Sequence, residues 1–278
     1  MKTPALQLTG LHHVSALSAH IGRTHDFFTR VLGMRPVIKT VNQDEPTMYH
    51  LFFGDGVGSP GSDMTVFDMP RAAPERPGNN SISLTTFRVS GEPTFAYWAE
   101  SPVPEEHQIR GLGYTVVTVP THQPTQHFLT EGLGLRHDHT YPVADAPHYL
   151  VHVYTIGDGG AHAEVHVVVR DDLPRARYGA GGVHHVALRV PDAQHIEDWA
   201  ARLSALGYMN SGVVERFYFT SVYVREPNHV LFELATDGPG FEVDGPLDGE
   251  RLKLPPFLEP RRAEIEAKLK PLGAPPSV

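Results

Sequence analysis

Two histidine pairs and one carboxylate carry the chemistry legible in this chain. Leu11-His12-His13-Val14-Ser15 lies near the N-terminus, and Val183-His184-His185-Val186-Ala187 repeats the pattern far downstream. Both runs predict short strands. A third run, Val230-Leu231-Phe232-Glu233-Leu234, holds one carboxylate among apolar side chains. A buried, unpaired carboxylate is costly, and a divalent cation would compensate it. Two imidazoles and one carboxylate on separate strands form the ligand set of a non-haem Fe(II) site with open positions. The chemistry expected is that of a metal that handles oxygen.

Alternation along a strand decides which histidines can share a site. His13 and Ser15 fall on one face, opposite His12 and Val14. His185, Ala187 and Arg189 fall on one face, opposite His184, Val186, Leu188 and Val190. Small neighbours leave room for an ion, which favours His13 and His185 beside Glu233. A rival group, His162, Glu164 and His166, also shares a face, with His148 and His152 on the strand opposite. Residues i and i+2 of a strand stand roughly 6.5–7 Å apart, too far for three in a row to converge on one ion. These histidines read as a polar, solvated sheet face. His122, His127, His137 and His139 receive no role. Gly54-Asp55-Gly56-Val57-Gly58-Ser59-Pro60-Gly61 lacks the Lys and following helix of a phosphate loop and reads as a turn.

The elements that must position these residues recur along the chain. A short strand, an amphipathic helix, a Gly and further strands make one module, βαβββ. Module one has strands at 12–17, 47–53 and 63–67, with a helix over 23–32. Module three has strands at 114–119, 148–155 and 162–170, with a helix over 123–131. Module four has strands at 184–190, 216–225 and 229–235, with a helix over 192–206. Module two is truncated. It offers a strand at 82–89 and a helix around 93–98 before Ser101-Pro102-Val103-Pro104 breaks the pattern. Modules one and four are expected to pair around the metal, and two and three to form the damaged second cup. The expected divisions are 1–106, 107–245 and a tail, 246–278, ending in a charged, exposed helix over 260–269.

Composition sets outer limits. The chain has 278 residues, 40% of them hydrophobic, a formal net charge of −9, 18 histidines and no cysteine. The acidic balance makes nucleic acid an unfavourable partner. Without cysteine there are no disulfides, thiolate nucleophiles, Fe–S clusters or Cys-based zinc sites. No run approaches the roughly 18–20 apolar residues of a membrane span. Met1-Lys2-Thr3-Pro4 leads into no apolar signal segment. A cytoplasmic location is expected.

Four βαβββ modules forming paired, curved mixed sheets, an α+β class, resemble the vicinal oxygen chelate (VOC) superfamily. It includes glyoxalase I, bleomycin-resistance proteins and extradiol dioxygenases. The likeness is greatest to the hydroquinone ring-cleaving dioxygenases. It is carried by Thr9 to Val14, by the helix Asp26 to Gly33, and by Tyr49 to Asp55 with Gly58-Ser59-Pro60-Gly61. It continues in Val183 to Asp192 and in Tyr223-Val224-Arg225 before Phe232-Glu233. The truncated second module is the main departure.

The resemblance implies an extradiol-type ring-cleaving dioxygenase that uses Fe(II), with Mn(II) as the other candidate, held by His13, His185 and Glu233. It implies a small aromatic diol and O2 as partners, hydroquinone before catechol. It places Tyr223 as hydrogen-bond partner to a phenolic oxygen, Arg216 as charge stabiliser, and His12, His184 and Ser15 around the metal. His12 and His184 would act as acid/base groups or orient a ligand through its second nitrogen. His50 reads equally as a residue behind the site or as core packing. A homo-oligomer is compatible with the sequence. Two other readings remain open at this level: a glyoxalase-like isomerase or lyase, and a non-catalytic protein that sequesters an aromatic ligand.

Overall fold

A computed structural model describes residues 6–89 and 95–272. Module one comprises β1 (Leu11–Ser18), helix α1 (Ile21–Asp26), β2 (Arg35–Val41), β3 (Tyr49–Gly54) and β4 (Asp63–Asp68). Among the described residues, module two contributes one strand, β5 (Ser81–Arg88). Module three has β6 (Gly111–Val119), α2 (His122–His127), β7 (Arg136–Val143), β8 (Ala146–Thr155) and β9 (Glu164–Val169). Module four has β10 (Val183–Val190), α3 (Ala193–Ala205), β11 (Val214–Glu215), β12 (Phe219–Arg225) and β13 (Leu231–Pro239). The tail adds β14 (Asp248–Leu252) and α4 (Arg262–Lys268).

The helices follow from local chemistry. Asp192 caps α3, its side chain accepting from His195 N–H, and Ile196, Trp199 and Leu203 bury one stripe of it. All three module helices end on a left-handed glycine: Gly33, Gly134 and Gly207 have φ of 68°, 72° and 83°. Gly33 is needed twice over, because a Cβ there would lie 2.5 Å from Ser101 Oγ. In modules one and three the helix widens into a π turn, Phe27–Val31 and Phe128–Gly132, where one continuous α-helix was expected.

A nine-stranded sheet runs β11-β12-β13-β10-β1-β4-β3-β2-β14. Modules one and four meet in it through antiparallel β1–β10, with β4 and β13 parallel to their own module's first strand. A five-stranded sheet, β5-β6-β9-β8-β7, joins the remnant of module two to module three. The sheet holding the histidine pairs is thus the complete one. The larger core gathers strand faces and helices, with Trp199, Tyr154, Phe128 and Phe232 fully buried. A smaller cluster of Val37, Ile38, Phe52, Ala187, Tyr218, Phe219, Ala235 and Phe241 packs inside the complete sheet.

Four expectations change. The helix around 93–98 is not present at 95–98, and 93–94 lie outside the described residues. There the chain is pinned as a loop: Gln108 accepts from Trp98 N–H and donates to the carbonyls of Trp98 and Val103. The strand expected over 216–225 breaks before Phe219, because Phe217 takes a left-handed φ of 64°. β14 pairs parallel with β2 and was not foreseen, since Asp-Gly-Glu-Arg-Leu carries little strand propensity. The tail helix opens as a 3-10 turn, Glu259–Arg261, that runs into α4, and it buries Ile265 at 1% exposure instead of standing free.

Candidate metal centre

One row of residues crosses four strands. His13 on β1 pairs with Ala187 on β10, Ala187 with Glu233 on β13, and Glu233 with Tyr223 on β12. Paired residues point to the same face. The methyl of Ala187, fully buried, leaves the space into which His13 and Glu233 lean from either side. His185, two residues before Ala187, closes the group from the same face.

The three facing atoms form a triangle. His13 Nε2 lies 3.2 Å from His185 Nε2 and 3.3 Å from Glu233 Oε2, and His185 Nε2 lies 2.8 Å from the same oxygen. Three adjacent ligands each about 2.1 Å from one ion stand about 3 Å apart, so the residues fit one face of an octahedron. Glu233 Oε2 is buried and, among the described residues, accepts no hydrogen bond despite these contacts, the unmet state an ion between the three atoms would relieve. Its other oxygen accepts from Ser221 Oγ–H. Among the described residues, this is the group of His, Asp and Glu side chains placed to hold an ion.

Electrostatics favour a cation there. Burial alone would raise the Glu233 carboxyl, but the facing imidazoles of His13 and His185 outweigh it and hold the group well below its ordinary range. Burial pushes His185 down. An ionised carboxylate with no exposure beside an imidazole kept neutral is the imbalance a divalent ion compensates.

The first histidine of each pair does not face away, as strict alternation predicts. A β-bulge at each pair turns the two rings together, so His12 Nδ1 lies 2.9 Å from His13 Nδ1, and His184 Nδ1 lies 2.7 Å from His185 Nδ1. His184 therefore leaves the face it would share with Val186 and lines the cavity. The carbonyl of Thr236 accepts from His12 Nε2–H at 3.1 Å. Burial, reinforced by the neighbouring His13, drives His12 down to about 3, so its ring is neutral and its Nδ1 is bare. His13 must then donate from Nδ1, and its Nε2 faces the triangle. His184 is likewise pushed down, to about 4, by burial first.

The triangle opens into a cavity of about 390 Å³. Phe52, Phe67, Phe219 and Leu231 supply apolar walls, and Tyr223, Arg216 and His50 supply polar ones. Burial, then the charge of Glu233, raises Tyr223, so it stays a phenol. Arg216 sits in the turn before β12, donates from Nε to Tyr223 Oη at 3.3 Å, and pairs with Asp44 at 3.0 Å. That ion pair ties module four to the β2–β3 loop of module one, where Gln43 also donates to the Arg216 carbonyl. Ser15 was expected around the metal. It is fully buried, does not line the cavity, and bonds Thr65 Oγ1 at 2.6 Å. Asp44 and Gln43 lie in a loop, where no periodicity marks them beforehand. Ser221 lies two residues before Tyr223 on the same strand face and was findable by period two.

The second cup has other residues at the equivalent positions. Val116 pairs with His166 as Ala187 pairs with Glu233, so Tyr114 stands where His185 stands and His166 where Glu233 stands. Tyr114 stacks on His166 at 4.0 Å. Both His166 nitrogens are occupied, by Tyr141 Oη at 3.0 Å and by Glu164 at 2.9 Å. His152 faces the other side of that sheet, stacked on His122 at 3.7 Å.

Comparison with known proteins comes to the same family. A family model described as the glyoxalase/bleomycin resistance protein/dioxygenase superfamily matches residues 111–234. The Bacillus subtilis (strain 168) protein named "Putative ring-cleaving dioxygenase MhqA" is 44% identical, covering 96% of this chain and 100% of that protein. The "Chlorohydroquinone/hydroquinone 1,2-dioxygenase" of Sphingobium indicum is 27% identical, covering 93% of this chain and 95% of its own. A crystal structure titled "putative dioxygenase", from Bacillus subtilis, superposes with a TM-score of 0.86 at 28% identity, over 96% of this chain and 98% of that one. No helix among the described residues is long and apolar enough to cross a membrane.

Proposed function

Since the chain belongs to the glyoxalase/bleomycin resistance protein/dioxygenase superfamily, we propose that it is a ring-cleaving dioxygenase acting on an aromatic diol. The substrate is hydroquinone-type before catechol-type, both atoms of O2 enter the product, and cleavage falls beside a ring hydroxyl. The observation that carries this reading is the His13–His185–Glu233 triangle at the wall of an apolar, aromatic-sided cavity. The relatives named as ring-cleaving and hydroquinone dioxygenases support it. We read the enzyme as cytoplasmic.

His13 Nε2, His185 Nε2 and Glu233 Oε2 would hold Fe(II), with Mn(II) as the alternative. Such an ion would supply open positions for a phenolate and O2 and the redox chemistry between them. The protein's own groups do the rest. His12 fixes the ring of His13 with its lone pair inward, and His184 does the same for His185 by taking its Nδ1–H. Tyr223, a phenol beside Glu233, holds or passes the proton of the reacting hydroxyl. Arg216, charged and braced by Asp44, favours the phenolate form of the substrate. The phenylalanine walls exclude water from the ring.

Anaerobic Fe(II) reconstitution followed by an oxygen-electrode screen tests the reading. Uptake with a hydroquinone is expected. A metal-loaded protein that takes up no oxygen with any hydroquinone or catechol contradicts it.

A further inference from the structure

His50 reads in the sequence as either core packing or a residue behind the site, and the structure puts it on the cavity wall instead. Its ring is wedged between Phe67, stacked at 4.0 Å, and Phe52, at 4.2 Å. Phe67 in turn neighbours His185, with ring centroids 6.4 Å apart. In the strand order His50, on β3, lies on the other side of β10 and β1 from Tyr223, on β12.

A buried chain of hydroxyls fixes which nitrogen of His50 carries the proton. His50 Nε2 lies 2.9 Å from Thr65 Oγ1, and Thr65 Oγ1 lies 2.6 Å from Ser15 Oγ. Thr65 and Ser15 are both 0% exposed. If His50 donated from Nε2, Thr65 would donate to Ser15, and the Ser15 proton would be buried with no acceptor. In the reverse order Ser15 donates to Thr65 and Thr65 donates to a bare His50 Nε2. Every buried proton is then used, and an unmade buried hydrogen bond is the costlier alternative. His50 is thereby a neutral ring with its proton on Nδ1. Among the described residues no hydrogen-bond partner meets that nitrogen, and the ring lines the cavity.

We propose that His50 is a substrate-orienting residue: its Nδ1–H donates a hydrogen bond to the second oxygen of a diol whose first oxygen lies at the His13–His185–Glu233 centre. Ser15 and Thr65 serve this role by fixing the tautomer, which accounts for two buried hydroxyls that touch no substrate. The proposal rests on the aromatic-diol reading above.

The test is anaerobic binding to the Zn(II)-loaded protein, which is redox-silent, with hydroquinone and phenol as probes. One hydrogen bond to the second oxygen predicts that hydroquinone is favoured over phenol, and that His50→Phe lowers that ratio roughly 2- to 10-fold. Phenol affinity should be unchanged in the variant. Thr65→Val should lower the ratio with His50 still in place. The 15N spectrum of the wild-type ring should show the proton on Nδ1. An unchanged ratio in His50→Phe, or a proton on Nε2, overturns the role. If His50→Phe does not fold, the Thr65→Val ratio and the ring spectrum decide. A wild-type protein that binds neither phenol nor hydroquinone refutes the aromatic-diol reading itself, and this role with it.

Discussion

His12 and His184 are each the extra residue in a β-bulge of the same β1–β10 pair. Leu11 and His13 oppose Leu188 and Ala187, so His12 is the insertion in β1; Ser15 and Ala16 oppose His185 and Val183, so His184 is the insertion in β10. Between the bulges, His13, Val14 and Ser15 run in register with Ala187, Val186 and His185. The bulges thus bracket the candidate metal face and turn both first histidines onto the second ones. In the proposed centre each pair would supply one ligand, with the preceding residue as its clamp.

That clamp has a measurable consequence. Removing the partner of a ligating imidazole typically lowers metal affinity 10–100-fold. His12→Ala and His184→Ala should each do so with circular dichroism unchanged. Chelator competition reads the affinity, and values equal to wild type would make the bulges incidental to the centre.

The ligands themselves should behave differently. His13→Ala, His185→Ala and Glu233→Ala should each abolish tight Fe(II) or Mn(II) binding, while wild type holds about one ion per chain. His166→Ala should keep full metal content, because both nitrogens of His166 are engaged by Tyr141 and Glu164. Metal lost in His166→Ala and kept in His13→Ala would move the centre to the other sheet.

Tyr223→Phe and Arg216→Ala should keep the metal and lose rate. Removing one group that stabilises charge in the transition state typically costs on the order of 10²–10³ in turnover. Steady-state oxygen uptake by metal-replete variants checks this. Wild-type turnover in both would leave them as wall residues only.

Asp63 gives a prediction for stability. It is 0% exposed, both its oxygens lack hydrogen-bond partners among the described residues, and burial followed by the charge of Asp55 raises it well above 3.8. Such an acid holds its proton more tightly folded than unfolded, so stability falls as pH climbs from about 4 toward the folded value. Asp63→Asn keeps the shape without the charge. Its advantage over wild type in urea melts should grow with rising pH across that window. A difference that does not change with pH would mean Asp63 has a partner.

Much of this was legible in the sequence because it rests on period and repetition. The His-His pairs, Glu233 and the three glycines that end module helices all follow simple spacing. The pairing of modules one and four follows from where the pairs occur. What escaped depends on departures from regularity or on long-range contact. Alternation places His184 among Val186 and Leu188, and only a bulge, which leaves no local mark in Val-His-His-Val, brings it to the cavity. Arg216 was expected within a strand, whereas the left-handed Phe217 puts it in a turn where Asp44, far away in sequence, can brace it. His50 gained its place from stacking on Phe67 and from a hydroxyl chain that spans three strands.

As a ring-cleaving dioxygenase, the protein would place both atoms of one O2 in a ring-opened product. The most direct measurement is mass spectrometry of the product formed from a substituted hydroquinone under 18O2 by the Fe(II)-loaded protein. One O2 should vanish per substrate, and a ring-opened acid should carry both labelled atoms. A protein that forms no labelled product, yet isomerises a hemithioacetal under argon, would contradict the account and stand as a glyoxalase-type isomerase.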